Sequence, residues 1–397
     1  MYPDISYFLH DIIGTEPDNW TSVFKTFGLF LGLCIFSGAY VIYLEFKRLE
    51  SEGKLSATTK TITNHKNKIW TDILMNSIVG GFFAFKLPYI ISHFEEFKAD
   101  AAGMVFSAKG NALIGIAAVI GLAALHYWQS KKSLDAPVRE TIKTIYPHQR
   151  VSDLTFIAAI FGILGARLFS ILENLDAFWA DPLGQLLSGS GLTIYGGLLL
   201  ALAALLVYIK KANIPVAHFL DAIAICYVLG YAIGRLGCHF SGDGDWGIVA
   251  AAQPSWWIFP DWLWSYEYPH NVADFYQRGP KIEGCEWKFC TYLDPKVYTT
   301  PVWETLINLI MFGVLWAYRK KMKVAGTMFS IYLILNGMQR WWIETVRVND
   351  KYEFLGLNWS QAQYIALGFF ISGIIGLIYL YVIKKDSNSV ESVSSEA

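Results

Sequence analysis

A group of charged and phenolic side chains in this sequence falls inside apolar stretches long enough to form membrane helices. On insertion scales an ionised side chain at the centre of such a helix costs about 2.5 to 3.5 kcal/mol, so each one indicates a functional site unless a structural partner balances it. The members are Arg167, Tyr195, Arg235, Glu304, Arg340 and Glu344. All of them lie toward the same end of the predicted bundle, which favours a shared polar cavity.

The chemistry that this group favours is the binding of an anion. Arg235 and Arg340 would bring two guanidinium groups to one depth, and a guanidinium binds phosphate through two parallel hydrogen bonds. An anionic phospholipid headgroup would suit such a site. Arginines that extend to headgroups, and Arg–Glu pairs that join helices, are the structural alternatives.

The most distinctive local run is Gly234–Gly247, which reads GRLGCHFSGDGDWG. Its five glycines allow backbone N–H groups to approach a ligand, and Arg235 adds a guanidinium, so the run can form a phosphate-binding turn. Glycines equally serve to end a helix, and the composition does not separate the two roles. The candidate ligand-binding residues in the run are Gly237, Ser241, Gly242, Asp243 and Gly247.

A second run, QRWWIETVR, covers residues 339–347. Arg340, Glu344 and Arg347 are spaced so that they share one face of a helix. Arg340 and Glu344 can satisfy each other within that helix. The presence of Arg235 at the same depth favours an anion-binding site instead.

The elements that must position these residues are membrane helices. The 397 residues are 54% hydrophobic and 16% charged, whereas soluble domains carry about 25% charged residues. Apolar runs occur near residues 25–45, 70–92, 111–128, 154–173, 193–209, 217–238, 301–318, 325–345 and 361–383. Because about 20 apolar residues cross a bilayer core, the sequence predicts an all-α integral membrane protein with about nine transmembrane helices.

The distribution of Lys and Arg predicts the orientation, because positive residues accumulate on the cytoplasmic side. With the N-terminus outside, nineteen of the 32 Lys and Arg residues fall in cytoplasmic segments and eight in outer segments. We therefore expect a cytoplasmic C-terminus and a polar site near the outer face. The outer loop is rich in Trp, Tyr and Pro, which is consistent with an interfacial position or with a small folded head.

These spans divide the chain into predicted segments. They are an outer N-terminal segment (1–24), the first helix with a cytoplasmic loop (25–69), an inserted helix pair (70–128), the helices with the Tyr-Gly-Gly and Gly-Arg motifs (129–238), an outer aromatic-rich loop (239–300), the last three helices (301–383) and a cytoplasmic tail (384–397).

Comparison of the chain with itself indicates an internal repeat. A shift of 81 residues matches Asp72 with Asp153, Lys86 with Arg167, Asp100 with Asp181 and Ser107 with Ser188. Chance matching of apolar helices is the alternative to duplication of a helix-loop-helix unit. Only the second copy carries Tyr195-Gly196-Gly197, so we expect the chemistry there and expect Lys86 to extend to headgroups.

Other residue types exclude several function classes. The net charge of −1 does not favour nucleic acid as a partner. No metal-ligand spacing occurs among the histidines and cysteines, so we predict neither a metal nor a soluble cofactor. Cys34, Cys226 and Cys238 are expected to be packing residues. Cys285 and Cys290 lie in the outer loop, where a disulfide is permitted, and the sequence leaves both states open.

The pattern as a whole resembles the prolipoprotein diacylglyceryl transferases, a family of bacterial membrane enzymes. Similarity runs from about Asp153 to Lys385, and the helix pair 70–128 is extra relative to the family's usual seven spans. The resemblance implies transfer of the diacylglyceryl group of phosphatidylglycerol to the lipobox cysteine thiol of a prolipoprotein signal peptide, forming a thioether and releasing glycerol phosphate. It also implies a multi-pass protein among the lipids of the bacterial inner membrane, with its active site toward the outer leaflet.

The resemblance also implies roles for individual residues. Gly234–Gly247 looks like the family's Gly-Arg signature, which places Arg235 at the position of an essential arginine, and Arg340 falls on the other one. The expected catalytic residues are Arg235, Arg340, Tyr195 and Glu304. The expected substrate-binding residues are Arg167, Gly196, Gly197, Gly237, Ser241, Gly242, Asp243, Gly247, Glu344 and Arg347.

One position departs from the family pattern. Many members have His-Gly-Gly where this chain has Tyr195-Gly196-Gly197. Free tyrosine has a pKa of about 10 and is a poor base near neutral pH, so Tyr195 is expected to hydrogen-bond the headgroup or the leaving phosphate. His239, a carboxylate such as Glu304, or direct use of the substrate thiolate are the alternatives for the base.

A transporter or flippase for an anionic lipid or a small anion is the alternative function. It would use the same arginines at a site near the membrane centre with access from both faces. The predicted polar residues lie toward one face, which favours the transferase.

Overall fold

A computed structural model gives the fold and describes residues 1–63, 66–99, 101–135, 140–187, 193–273, 279–354 and 356–383. The helices are α1 (Ile5–Ile13), α2 (Thr26–Ser51), α3 (Lys66–Ser92), α4 (Phe94–Ala99), α5 (Ala101–Phe106), α6 (Ala112–Asp135), α7 (Val151–Glu173), α8 (Leu175–Ala180), α9 (Pro182–Leu187), α10 (Ile194–Lys211), α11 (Val216–Ser241), α12 (Asp261–Trp264), α13 (Thr300–Tyr318), α14 (Thr327–Glu344) and α15 (Gln361–Ile378). The strands are β1 (Thr58–Thr63), β2 (Glu140–Ile145), β3 (Ser265–Tyr266), β4 (Val297–Tyr298), β5 (Lys351–Phe354) and β6 (Leu357–Ser360), and they pair two by two as antiparallel ladders.

Each apolar run predicted from the sequence coincides with a long helix. Among the described residues, seven helical runs are long and apolar enough to cross a membrane. The two other predicted spans are α10 and α14, of 18 residues each. The prediction of an all-α membrane protein is confirmed, while the number of crossings and the orientation stay predictions.

The chain folds into two compact units. The first unit comprises Met1–Leu55 and Asn213–Ala397, and the second unit comprises Ser56–Ala212. The two runs that contain Arg235 and Arg340 belong to the first unit. Tyr195 and its neighbouring glycines belong to the second.

Helix α11 is the central helix of the first unit and packs against α2, α13 and α14. Its contact with α2 is close because glycine faces cysteine twice across it. A Cβ added at Gly38 would lie 2.9 Å from Sγ of Cys226, and one added at Gly230 would lie 2.9 Å from Sγ of Cys34. The prediction that Cys34 and Cys226 are packing residues is confirmed.

The described part of the loop between α11 and α13 forms a small head with its own core. Tyr268 is 0% exposed and packs with Leu293 and Val297. The sulfur atoms of Cys285 and Cys290 are bonded at 2.01 Å. Of the alternatives that the sequence left open for this loop, the structure therefore has the folded head and the disulfide.

The second unit contains the predicted repeat. When 81 is added to each residue number, α4 and α5 coincide with α8 and α9, and α3 covers the helical run Pro147–Glu173. Helix α3 packs against α6, as α7 packs against α10. The order, bounds and pairing of the helices support duplication of a helix-loop-helix unit rather than chance matching.

The strands of the second unit relate the two copies by symmetry. Strand β1 precedes α3 in the first copy, and β2 precedes α7 in the second. Thr61 of β1 lies opposite Ile142 of β2, which is the residue that corresponds to it in the repeat of 81 residues. Lys60 pairs with Lys143, and the ladder maps onto itself when the copies are exchanged. The ladder therefore has a local two-fold axis.

Lys86 does not extend to lipid headgroups, and that prediction is wrong. The residue is 2% exposed. Its Nζ donates to the carbonyl oxygens of Met104 and Lys109, at 2.9 Å each, and to Oγ of Ser107 at 3.2 Å. An ammonium group bonded in this way is satisfied inside the protein. Its acceptors lie 18 to 23 residues along the chain, so the local pattern gave no sign of them.

Lys86→Met is expected to destabilise the second unit. The substitution leaves carbonyl oxygens without their donor, and hydrogen bonds to a charged group contribute about 1.5 to 3 kcal/mol each. The midpoint of thermal unfolding in detergent should fall clearly. Lys109→Met is the control, because the Lys109 side chain is 63% exposed. Equal midpoints for Lys86→Met and wild type would contradict the structural role.

Candidate active site

The polar cluster of the first unit is organised around Glu304, which is 0% exposed. Glu304 lies in the first turns of α13, where Pro301 fits without loss of a helical hydrogen bond. Nε of Arg235 is 2.9 Å from Oε2, and Nη1 of Arg340 is 3.3 Å from Oε1. Nη1 of Arg347 is 3.5 Å from Oε2. One buried carboxylate therefore faces three guanidinium groups.

Residues one turn apart on the helices hold two of these cations in place. Tyr231 and Arg235 share a face of α11. The Tyr231 hydroxyl donates to Oε1 of Glu304 at 2.7 Å and accepts hydrogen bonds from Nε and Nη2 of Arg235 at 3.1 and 3.0 Å. On α14, Nη2 of Arg340 is 3.1 Å from Oε2 of Glu344. The structure thus brings Arg235, Arg340 and Glu304 together.

A further carboxylate, Asp245, completes the cluster from the loop that follows α11. Its Oδ2 accepts from Nη1 of Arg235, and its Oδ1 accepts from Nη2 of Arg347 at 2.6 Å. Burial opposes its ionisation, but the two guanidinium groups outweigh burial and lower the pKa of Asp245 to about 2. Its side chain is 35% exposed, compared with 0% for Glu304 and 1% for Glu344. Asp245 is therefore ionised near neutral pH and is the most accessible carboxylate of the cluster.

The glycines of the Gly-Arg run position this loop. Gly242 ends α11 with a left-handed backbone, φ +64°, and donates its N–H to the carbonyl of Cys238 at 3.0 Å. A Cβ added at Gly247 would lie 2.7 Å from the carbonyl oxygen of Val346 and 2.9 Å from Cβ of Tyr298. Only glycine allows the chain to pass at this point without a shift of its neighbours. A role of these glycines in phosphate binding stays a prediction.

The other predicted residues of the run contact the protein itself. A Cβ added at Gly237 would lie 2.8 Å from Cβ of Phe30. The Ser241 hydroxyl donates to the carbonyl of Gly237 at 2.8 Å. Asp243 accepts the N–H of Asp245 at 3.2 Å, and burial together with the charge of Asp245 raises the pKa of Asp243. Asp243 therefore shapes the turn, and Asp245 pairs with the arginines.

The remaining predicted residues lie in the second unit. Arg167 is a buried residue of α7, and Tyr195 is 36% exposed at the start of α10. A Cβ added at Gly196 would lie 2.3 Å from Cβ of Phe169, and one added at Gly197 would lie 2.8 Å from a backbone oxygen of α7. These glycines allow α10 to approach α7 closely, and their contact with a substrate stays a prediction.

Sequence reasoning missed two members of the cluster. It named Asp243 as the acidic residue of the run, whereas Asp245 makes the ion pairs. It also passed over Tyr231, whose hydroxyl contacts both Glu304 and Arg235. The spacing of Tyr231, four residues before Arg235 on the same helix, was the available signal.

Two of the proposed bases have other partners. The Nδ1 atom of His239 is 3.2 Å from the hydroxyl of Tyr268, in the aromatic core of the head. Both carboxylate oxygens of Glu304 face arginines. Glu304 is therefore suited to position the cations rather than to accept a proton.

One group of potential metal ligands occurs in the described part of the chain. Sγ of Cys238 and carboxylate oxygens of Asp243 and Asp245 lie within 4.8 Å of one another. The guanidinium groups of Arg235 and Arg347 already bind Asp245 and would repel a cation. This arrangement does not fit a metal centre.

Comparison with known proteins supports the resemblance. A family model described as prolipoprotein diacylglyceryl transferase matches residues 111–379, a range that begins earlier than the sequence resemblance suggested and includes α6. A phosphatidylglycerol–prolipoprotein diacylglyceryl transferase of Clostridium novyi (strain NT) is 30% identical over 239 residues, 60% of this chain and 82% of that protein. The protein of the same name from Dehalococcoides mccartyi is 26% identical over 272 residues, 68% of this chain and 88% of that protein.

The pairing of Asp245 predicts a pH dependence of stability. An aspartate in the unfolded chain has a pKa of about 3.9, and the folded pKa is lowered to about 2. The stabilisation from Asp245 is therefore fully present above the unfolded value and is lost as pH falls through the folded value. The difference in thermal midpoint between wild type and Asp245→Asn should be equal at pH 7 and pH 5 and should shrink from about pH 4 to about pH 2. A difference that grows in acid would contradict the ion pairs.

Proposed function

Because this chain belongs to the prolipoprotein diacylglyceryl transferase family, we propose that it transfers the diacylglyceryl group of phosphatidylglycerol to the lipobox cysteine of a prolipoprotein. The chain is a multi-pass membrane transferase. The observation that carries the proposal is the arginine cluster around Glu304, which lies inside the range that the family model matches. Phosphatidylglycerol and the signal peptide of the prolipoprotein would be its partners.

The cluster supplies positive charge to the glycerol phosphate that leaves in the reaction. Arg235 and Arg340 bind the headgroup phosphate and stabilise the charge that builds up as glycerol phosphate leaves. Glu304 holds both guanidinium groups before the substrate arrives, so little reorganisation accompanies the reaction. Glu344 orients Arg340, with which it forms an ion pair, and Arg167 is proposed as a further substrate-binding residue. Tyr195, with the glycine pair that follows it, contacts the headgroup.

The reaction exchanges one bond for another at a glyceryl carbon. The cysteine sulfur attacks the carbon that carries the phosphate ester, a thioether forms, and the carbon–oxygen bond breaks toward the phosphate. The thiol gives up its proton to water, and the thiolate is the nucleophile because thiols ionise more readily than hydroxyls. The electron pair of the broken carbon–oxygen bond stays on the phosphate oxygen, so glycerol phosphate leaves as a dianion. Neither Glu304 nor His239 is needed as the base in this scheme.

The placement of the cluster favours a transferase over a transporter. Arg235 lies near the end of α11, Glu304 near the start of α13 and Arg340 near the end of α14, so the cluster lies at one end of these helices. A transporter would place its anion site near their middle. We infer that this end faces the outer leaflet of the inner membrane, in agreement with the Lys and Arg bias of the loops.

Arg235→Lys and Arg340→Lys are each expected to lower kcat/KM by at least about 100-fold, because removal of one preorganised donor to a developing oxyanion has effects of about 10² to 10³. Lysine keeps the charge but lacks the planar fork that binds phosphate. Labelled phosphatidylglycerol and a lipobox peptide give the rate, and mass spectrometry of the thioether product identifies the reaction. Wild-type rates in both variants would refute the proposed roles.

Arg319→Lys is the matched control for these variants. Arg319 also pairs with a buried carboxylate, with Nε 2.7 Å from Oε1 of Glu45. It follows the opposite end of α13, about 22 Å from Glu304 at the rise of an α-helix. Arg319→Lys should lower the thermal stability as Arg235→Lys and Arg340→Lys do, but it should leave the transfer rate close to that of the wild type.

Tyr195→Phe tests whether the tyrosine is a base. Loss of one hydrogen bond to the headgroup should lower kcat/KM about five- to tenfold, mainly through KM. Removal of a general base would instead lower kcat by about 10² to 10⁴. A loss of that size, with a changed pH profile, would contradict the role proposed for Tyr195.

A further inference from the structure

The arginine cluster has no excess of positive charge, although its proposed substrate is an anion. Arg235, Arg340 and Arg347 are balanced by Glu304, Glu344 and Asp245. The carboxylate of Asp243 also lies within 4.8 Å of that of Asp245. A phosphodiester headgroup carries one negative charge. Its entry into a mostly buried cluster without excess positive charge would leave an uncompensated negative charge, which is costly away from water. One carboxylate must therefore leave its ion pairs with the arginines when the headgroup binds.

The three carboxylates differ in their freedom to move. Glu304 and Glu344 are 0% and 1% exposed and belong to helices α13 and α14. Asp245 is 35% exposed and belongs to a loop. It follows two glycines with left-handed backbones, Gly242 and Gly244, with φ of +64° and +100°. Asp245 is thus the carboxylate that can leave without breaking a helix.

We propose that Asp245 occupies the phosphate position of the resting site and that the phosphodiester of the lipid headgroup displaces it. This inference rests on the proposed function, because it assigns the arginines to that headgroup. The exchange keeps the charge balanced, since one singly charged acceptor replaces another. Both acceptors also offer two oxygens to a guanidinium group.

Arg347 has an N–H donor that can bind the phosphodiester headgroup. Its side chain is 9% exposed, and its Nη1 and Nη2 face Glu304 and Asp245. Nε of Arg347 has no hydrogen-bond partner among the described residues. A carboxylate has two oxygens, whereas a phosphodiester has further ester oxygens around the same centre. The headgroup can therefore use a donor that Asp245 leaves unused.

Removal of the competing charge should strengthen lipid binding. We expect Asp245→Asn to bind short-chain phosphatidylglycerol about tenfold more tightly than wild type, which corresponds to about 1.4 kcal/mol. Phosphatidylcholine of the same chain length carries its own cation, so the substitution should increase its affinity much less. Inorganic phosphate is the third probe. If Asp245→Asn also binds phosphate more tightly than wild type does, the group that displaces Asp245 can be a free phosphate. If only the affinity for phosphatidylglycerol increases, that group is the lipid headgroup.

Glu267→Gln is the control for these titrations. Glu267 is an acidic residue of the head that pairs with Lys296 at 3.0 Å and is 45% exposed. Its loss removes the same charge without touching the cluster, so phosphatidylglycerol affinity should stay at the wild-type value. Equal or weaker binding by folded Asp245→Asn would overturn the proposal and assign Asp245 to positioning the arginines.

A measurement on the wild type does not depend on the folding of any variant. Carbodiimide coupling of an amine to carboxylates, followed by peptide mass spectrometry, reports how accessible Asp245 is. Phosphatidylglycerol should increase labelling of Asp245 several-fold and leave Glu267 unchanged, whereas protection of Asp245 or an unchanged level would refute displacement. The transfer assay on the same samples tests the proposed function separately, because displacement and transfer are read by different products.

Discussion

The first unit depends on the burial of Glu304 among three guanidinium groups. Cations that face one another in the interior of a helix bundle repel, and each costs several kcal/mol to remove from water. Glu304 lies within 3.5 Å of each of them and offsets that cost. Helices α11, α13 and α14 all contribute to this contact, so their ends cannot separate without leaving a buried charge unpaired. The cluster therefore sets the position of the helix ends before a ligand binds.

The helices and most of the cluster could be predicted because both have strong local signals. A run of about 20 apolar residues has few alternatives to a membrane helix, and every predicted run coincides with a long helix. Arg235, Glu304 and Arg340 stood out because charge inside such runs is costly. Helical spacing also offered the pairing of Arg340 with Glu344 as the structural alternative, and the structure has this pair at 3.1 Å.

The rest of the site could not be predicted because it depends on backbone turns and on distant acceptors. Asp243 and Asp245 stand in the same short glycine-rich run. The structure pairs Asp245 with Arg235, in a turn where Gly242 and Gly244 have left-handed backbones. Spacing alone does not specify such turns. Lys86 was misjudged for a related reason, since its carbonyl acceptors lie outside its own helix. Local patterns identify which charges need a partner, but tertiary packing selects the partner.

The repeat separates structural from chemical residues within the second unit. Some features occur in both copies and therefore have a role in the fold. They are a buried cation on α3 and α7, Lys86 and Arg167, and a glycine where α6 and α10 pack closely against these helices, Gly115 and Gly196. The symmetric ladder of β1 and β2 holds the copies together whatever else changes. A phenol in place of an aliphatic side chain at position 195 has no such structural counterpart in the first copy. The difference between the copies therefore supports the proposal that Tyr195 contacts the headgroup.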